Sequence, residues 1–399
     1  MINVFLIPSW YPSQNNPLAG IFTKEQSLFI SESGDVNFII SVAEGYLLSP
    51  KKPWESLKNL FAFLKTDEQN IRINNYYLEQ RQPVLKWTNR IFNGNFHEIF
   101  KSHEKNLTNA LRENKIDLIH AHVSYPAGYI AYMLSKKYNI PYIITEHMSP
   151  FPFKGYLHKG QPIQQICTAI NNANKVVAVS ESLKDEIVRY GLKTPIVIPN
   201  FIDENGYRLV SDNNSARFAF LTVGSLVKQK GIDILIKAVA KLKDELPLEK
   251  IEFKVIGSGS EYKKYKRLLK KYNLNSIVKL MGSMDRDKTR KEFENCNAFV
   301  LPSRHESFGV VYIEAMACGK PVIATRCGGP EMIVRSNQLG LLIEKEDIDE
   351  LANSIKYIYN NADKYDLKYI RQFFLDNFSK KVNVKKYIEL YKDVADVRY

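Results

Sequence analysis

Two glutamates, Glu306 and Glu314, stand with seven residues between them in LPSRHESFGVVYIEAMACGKPVIATRCGGPE, which runs from Leu301 to Glu331. Carboxylates placed one in a loop and one in a helix can accept hydrogen bonds from the hydroxyls of a single ligand. The stretch reads as a βα unit. NAFVL, Asn297 to Leu301, is a short apolar run consistent with a buried strand. A loop follows from Pro302 to Gly309, and a helix is expected to open near Val310 with Glu314 in its first turn. Gly319-Lys320-Pro321 ends that helix, Val322 to Thr325 returns as a parallel strand, and Gly328-Gly329-Pro330 starts another short helix. A helix N-terminus beyond the carboxyl end of a strand offers unpaired N–H groups and a positive dipole end, which favour phosphate. Two acceptors beside such a site suit a ligand with both phosphate and hydroxyls, such as a nucleotide sugar. An ordinary βα unit with two solvated glutamates accounts for the same residues without a ligand.

The stretch resembles the donor-site signature of the retaining family 4 glycosyltransferases with GT-B fold. That pattern is a Glu, seven residues, a second Glu, then a small-Met-small-Gly-x-Pro-Val run and a Gly-Gly, and Glu306, Glu314, Ala315 to Val322 (with Cys318 additionally before the Gly) and Gly328-Gly329 supply it. The resemblance implies that Glu314 binds the ribose hydroxyls and Glu306 the donor sugar. It implies that the backbone N–H groups of Ser307, Phe308, Gly309, Val310 and Val311 hold sugar hydroxyls and diphosphate.

Other positions carry the resemblance further. LTVGSLVKQKG matches a Gly-Arg-Leu…Lys-Gly pattern at Gly224 and at Lys230, the lysine that would neutralise the leaving diphosphate. Ser225 stands where the family's arginine usually is, and Lys228 is a candidate replacement. Gly20, in WYPSQNNPLAGIFTKEQ, matches a loop glycine that contacts donor or acceptor; a tight turn without a ligand is the alternative. Gly282-Ser283 follows a strand where the family's backbone recognises the base. His147, at the end of a strand closing in Thr145-Glu146, matches a histidine that contacts the transferred sugar near its reacting end. His120 and His122, in DLIHAH, look more structural.

The elements that must position these groups are legible as repeated βα units. Ile2 to Ile7, Ile116 to His122, Pro141 to Thr145, Lys175 to Val179 and Ile196 to Ile198 read as strands, with helices beginning near Ala19, at Tyr125 to Tyr138 and at SESLKDEI. Asp203 to Arg217 is polar and aperiodic and reads as a linker. A second series begins at Phe218, with a helix from Ile232. Gly257 and Gly259, in GSGS, read as an ordinary βα turn, and Asp285 and Asp287 as helix capping rather than a metal-binding pair. The expected fold is α/β and GT-B: two Rossmann-like doubly wound domains facing a cleft. The acceptor-side domain would span residues 1–200, the nucleotide-sugar domain 201–376, and a last helix, 377–399, would cross back to the first.

Composition narrows the partners. The formal net charge is +13, which favours anionic partners, and no zinc-finger, RNA-binding or helix-turn-helix pattern accompanies it, so nucleic acid is not expected. The four cysteines are scattered without a CxxC, which indicates neither a zinc site nor a disulfide framework and fits a reducing cytosol. No apolar run approaches a membrane span, and the N-terminus reads as a strand rather than a signal peptide. In KKPWESLKNLFAFLK, residues 51–65, Trp54, Leu57, Leu60, Phe61 and Leu64 share one helical face and lysines cover the rest. Such a helix can lie on an anionic membrane or pack against a core; Trp87, Ile91, Phe92 and Phe96 would extend its apolar surface.

These readings together imply a retaining glycosyltransferase that moves a hexose-type sugar from a UDP or GDP donor to a glycan or lipid-linked acceptor in envelope polysaccharide synthesis. No cofactor or metal is expected, and the site is cytoplasmic, at the inner membrane face. A GT-B nucleotide-sugar epimerase and a non-catalytic nucleotide-sugar-binding protein are the alternatives.

Overall fold

The computed structural model describes residues 1–13, 16, 19–87, 94–210 and 217–396. The chain divides into two compact units. One comprises Met1–Val179, Lys184–Ile198 and Val384–Tyr399, and the other Ser180–Leu183 and Pro199–Asn383. Ile91 and Phe92, and residues 211–216 of the expected linker, lie outside the described residues.

Among the described residues the first unit has an eight-stranded sheet. Its strands are β1 (Ile2–Pro8), β2 (Val36–Leu48), β3 (Gln69–Asn74), β4 (Tyr77–Trp87), β5 (Leu118–His122), β6 (Tyr142–Glu146), β9 (Lys175–Ala178) and β10 (Ile196–Val197). A separate short ribbon pairs β7 (Leu157–His158) with β8 (Gln161–Pro162). The order is β10-β9-β6-β5-β1-β2-β4-β3, parallel throughout except for the antiparallel β3–β4 pair at one edge. The central strands are continuous apolar runs because helices cover both faces of a parallel sheet. Val4, Phe5, Leu6 and Ile7 of β1 are fully buried.

The second unit has six parallel strands: β11 (Phe218–Val223), β12 (Ile251–Ile256), β13 (Val278–Gly282), β14 (Ala298–Leu301), β15 (Val322–Thr325) and β16 (Gly340–Ile343). Their order, β13-β12-β11-β14-β15-β16, is that of a doubly wound dinucleotide-type sheet. The chain therefore leaves β11 and β14 in opposite directions. The crevice beyond the carboxyl ends of this pair is where such sheets bind ligands.

Several expectations need correction. The first helix spans Ile21–Ser31, close to the start expected near Ala19, with Gly20 as its N-cap in the left-handed region (φ 61°). The expected Tyr125–Tyr138 helix begins regularly only at Tyr129; Tyr125 itself is extended (φ −146°, ψ 132°). The β3–β4 pair was not anticipated. Its strands are rich in Gln, Asn and Arg and lack the apolar run of a central strand.

The helix Pro53–Leu64 forms as expected, but none of its residues is buried. Trp54 and Leu64 are 79% and 69% exposed, so the core-packing alternative fails. Phe63 against Tyr46 (ring centroids 6.0 Å) and Ser56, donating to the Ser49 carbonyl at 2.9 Å, hold the helix on the sheet by its other side. Phe96 does not extend this surface: it stacks on Tyr125 at 6.0 Å.

Candidate functional site

In the second unit the residues singled out around the β11–β14 switch point meet. After β11 the chain makes a 3-10 turn, Lys228–Lys230, and Gly231 (φ 68°) opens the helix Ile232–Lys241. A Cβ on Gly231 would sit 1.9 Å from the Pro302 carbonyl, so only glycine lets this turn approach the loop after β14. That approach sets Lys230 beside Glu306, with Nζ donating to Oε1 at 2.6 Å. Ser303 Oγ donates to the same oxygen at 2.9 Å. The loop is also fixed by its backbone: Gly329 N–H donates to the Glu306 carbonyl at 2.9 Å and Arg304 N–H to the Gln229 carbonyl at 2.7 Å. Glu306 is 8% exposed, so its carboxylate is held by Lys230 and Ser303 rather than free in solvent.

Helix Val310–Ala317 opens at Gly309, which adopts φ 95° and has no side-chain cap. Tyr312 N–H turns back to the Gly309 carbonyl, which leaves the N–H groups of Val310 and Val311 without an intrahelical acceptor. Tyr312 donates to the Leu301 carbonyl at 3.0 Å and packs edge-on to Phe299, locking the helix start to the end of β14. Phe308 is fully buried against Phe378, so it anchors the loop by its side chain; Ser307 is half-buried. The arrangement is an anion-receptive helix start with a lysine–glutamate pair beside it.

Glu314 falls in the second turn of this helix, not the first. Tyr207, which lies in the expected linker, is 2% exposed and donates to Glu314 Oε1 at 2.5 Å. Arg286 Nη2 lies 3.9 Å from the same oxygen. Burial pushes the Glu314 pKa up, opposed by Arg286 and by the Tyr207 hydrogen bond. The reading of 203–217 as a featureless linker therefore missed a positioning group. The one signal was an aromatic residue in an otherwise polar run.

The other glycines of the second unit hold the strand ends together. A Cβ on Gly257 would lie 1.9 Å from the Gly224 carbonyl, and Gly257 N–H donates to the Gly282 carbonyl at 2.9 Å. Gly282 adopts φ 74°. Ser283 Oγ donates to Ser258 Oγ at 2.8 Å. Ser225 and Lys228 are exposed. Arg304 does not fill the place of the missing arginine. It grips Asp233 through two hydrogen bonds (2.9 and 3.1 Å) and also reaches Glu346 and the Lys228 carbonyl. Asp285 caps the helix Arg286–Asn295 by accepting from Lys288 N–H, as expected.

In the first unit His147 follows β6 and is buried. Its Nε2 is 3.0 Å from His122 Nδ1, and the two rings stack with centroids 5.2 Å apart. Glu146 fixes the turn by accepting the N–H groups of His147 (2.7 Å), Met148 (2.9 Å) and Ser124 (2.9 Å). Burial lowers the pKa of His147 well below the usual imidazole range, so the ring is neutral at pH 7. His120 uses both ring nitrogens, on Tyr391 and Thr145 hydroxyls at 2.8 Å each, which is a packing role. His122, grouped with it by sequence, belongs instead with His147. Gly20 has a backbone reason: a Cβ there would lie 2.1 Å from the Trp10 carbonyl.

Residues 207–372 match the family model described as glycosyl transferases group 1, and residues 75–205 match glycosyltransferase family 4. An uncharacterized glycosyltransferase of Methanocaldococcus jannaschii is 34% identical over 295 residues, covering 72% of this chain and 78% of that protein. The D-inositol 3-phosphate glycosyltransferase of Corynebacterium jeikeium is 27% identical, over 60% of this chain and 63% of that protein. Among solved structures, sucrose-phosphate synthase from Thermosynechococcus elongatus aligns over the full length of both chains (TM-score 0.77, 20% identity). Anabaena HepE in complex with UDP-glucose aligns over 98% of this chain and 100% of its own (TM-score 0.71, 18% identity).

Proposed function

The chain belongs to the group 1, family 4 glycosyltransferases of GT-B fold, and from that premise we propose that it moves a hexose from UDP to a glycan or lipid-linked acceptor with retention of configuration. The observation that carries this reading is the Lys230–Glu306 pair beside the open start of the Val310–Ala317 helix. The two N–H groups of Val310 and Val311 and the Lys230 ammonium suit a diphosphate. Its charge grows as the sugar leaves, and fixed donors stabilise that growth. Glu306, held by Ser303, would take sugar hydroxyls, and Glu314, oriented by Tyr207, the ribose hydroxyls. Gly224, Ser225, Gly282 and Ser283 would line the diphosphate and base. His147, neutral and fixed by His122, can donate or accept one hydrogen bond to the transferred sugar without placing a charge there. UDP is favoured over GDP because Anabaena HepE, a protein of similar fold, was solved in complex with UDP-glucose. The reaction as read here needs no metal, the lysine and the helix start supplying the positive charge.

A thermal-shift panel of nucleotides tests the donor. UDP at about 100 times its Kd should add about 2.7 kcal/mol of stability. Product analysis with UDP-glucose then separates transfer or hydrolysis from epimerisation, which leaves the nucleotide sugar intact.

The envelope role rests on the helix Pro53–Leu64. Trp54, Leu57, Phe61 and Leu64 are exposed on it, with Lys51, Lys52, Lys58 and Lys65 around them. Among the described residues no helix is long and apolar enough to cross a membrane. The expected contact is peripheral, at the inner membrane face where a lipid-linked acceptor would sit: aromatics enter the interface while lysines meet anionic headgroups. Flotation with anionic vesicles, weakening as salt screens exposed charges over about 8 Å, is the expected result. Equal absence of binding to anionic and neutral vesicles would remove the membrane and favour a free glycan as acceptor.

A further inference from the structure

The first unit contains a cavity of about 210 Å³ beyond the carboxyl end of β1 and alongside Val42 to Gly45 of β2, lined among others by Trp10, Tyr11, Glu44, Gly45, Lys86 and Pro126. Charge in and around it does not balance. Glu79 is paired with Lys24 (2.8 Å) and Arg81 (2.7 Å), and Arg81 also lies 3.9 Å from Glu44. Two carboxylates thus face two cations. Lys86 is left over: its Nζ donates only to the Ala43 carbonyl at 3.2 Å, and among the described residues no carboxylate lies within ion-pair distance. His103, which also lines the cavity, is neutral, its pKa pushed down to about 3 by burial and by Lys86 itself. A lone desolvated ammonium is costly unless something offsets it. The sequence makes room for it nonetheless. A Cβ on Gly45 would lie 2.4 Å from Lys86 Cδ and 2.8 Å from its Nζ, so the lysine stem crosses the strand over a glycine.

We propose that this cavity binds an oxyanion, a phosphate or carboxylate carried by the acceptor sugar, with Lys86 as the charge-matching group and Gly45 as the residue that admits it. The inference rests on the reading that the first unit carries the acceptor. Lysine recognises such groups as a compact point charge with three donors. The cavity, about seven waters by liquid volume, has room for one charged sugar ring beside Trp10 and Tyr11 rather than for a nucleotide.

Calorimetric titration with glucose 6-phosphate, glucuronate and glucose tests it, on the wild type and on Lys86→Met and Gly45→Ala. Alanine at 45 suits the strand, and the three atoms nearest its Cβ all belong to the flexible lysine tail. The wild type should prefer a charged sugar by at least about tenfold, the equivalent of one hydrogen bond to a charged group. Which of the two binds tighter separates phosphate from carboxylate. Both variants should lose that preference. Absence of any preference for the charged sugars in the wild type, or its survival in both variants, overturns the proposal. UDP thermal shifts on the same samples report folding and the donor site independently. Normal UDP stabilisation without anion preference sinks only the oxyanion, whereas anion preference without UDP stabilisation sinks the donor reading and keeps the oxyanion site.

Discussion

Lowering the pH from 7.5 to 5.0 should destabilise the first unit selectively. Burial holds His103 and His122 at a pKa of about 3, against about 6.5 in an unfolded chain. The unfolded state therefore binds the extra protons, and stability present above pH 6.5 is lost as pH falls towards 3. At pH 5.0 an unfolded histidine is almost fully protonated and a folded one almost never. The population ratio is about 30, which is about 2 kcal/mol for each residue. A folded pKa anywhere below about 4 gives the same figure, because the unfolded value sets it. His120 and His147 are lowered still further by burial and add to the loss. Glu146, raised by burial, opposes it in part. His103 and His122 together amount to about 4 kcal/mol, close to the whole stability of a marginal domain. All three tryptophans, Trp10, Trp54 and Trp87, lie in the first unit, so their fluorescence reports its unfolding alone. The assay is the urea midpoint of tryptophan fluorescence at pH 7.5 and 5.0, with His103→Gln expected to shrink the pH difference by about 2 kcal/mol. An unchanged wild-type midpoint at pH 5.0 would refute the burial of these rings as neutral groups.

Glu314→Ala should weaken UDP binding by roughly 1.5–3 kcal/mol, the worth of hydrogen bonds to a charged acceptor. Calorimetry showing unaltered affinity would remove the ribose assignment. Tyr207→Phe should fall between wild type and Glu314→Ala in the same titration, since it leaves the carboxylate but frees its orientation. Lys230→Ala should cut kcat/KM for transfer more than it weakens free uridine, because the lysine acts on diphosphate charge. Lys228→Ala, at an exposed position, should be milder; the reverse order in steady-state kinetics would reassign the phosphate lysine.

Most of the sheet strands and the β14 loop were legible because they rest on local signals: apolar runs, glycines at turns and a spaced pair of glutamates; β2, Val36–Leu48, was not read although it carries an apolar run. Gly309 and Gly231 stand where the backbone demands positive φ, and sequence alone points to such places. What escaped was non-local. Tyr207 reaches Glu314 across 107 positions, and nothing in its neighbours announces that partner. β3 lacked a pattern because polar residues suffice at the sheet edge it forms, and β4, paired on both sides, was hidden by buried polar residues such as Glu79, whose charge is met by Lys24 and Arg81. His120 and His122, two apart on one strand, do share a face, and their rings lie 4.4 Å apart. Only His122, at the carboxyl end of β5, is level with the turn after β6 that carries His147, and that pairing depends on register between strands rather than on neighbours in sequence. The exposure of the helix Pro53–Leu64 was undecidable from its amphipathic pattern, which a core helix shares.

The central claim is that Lys230, Glu306 and the start of the Val310–Ala317 helix form a working nucleotide-sugar site. The most direct measurement is UDP release from UDP-glucose, with and without a glycan acceptor, for the wild type, Glu306→Gln and Lys230→Ala. The wild type should release UDP, and Lys230→Ala should lose at least about 2.7 kcal/mol in transition-state stabilisation, roughly a hundredfold, as for removal of one fixed donor to developing charge. UDP stabilising the wild type while both variants turn over UDP-glucose at its rate would contradict the claim.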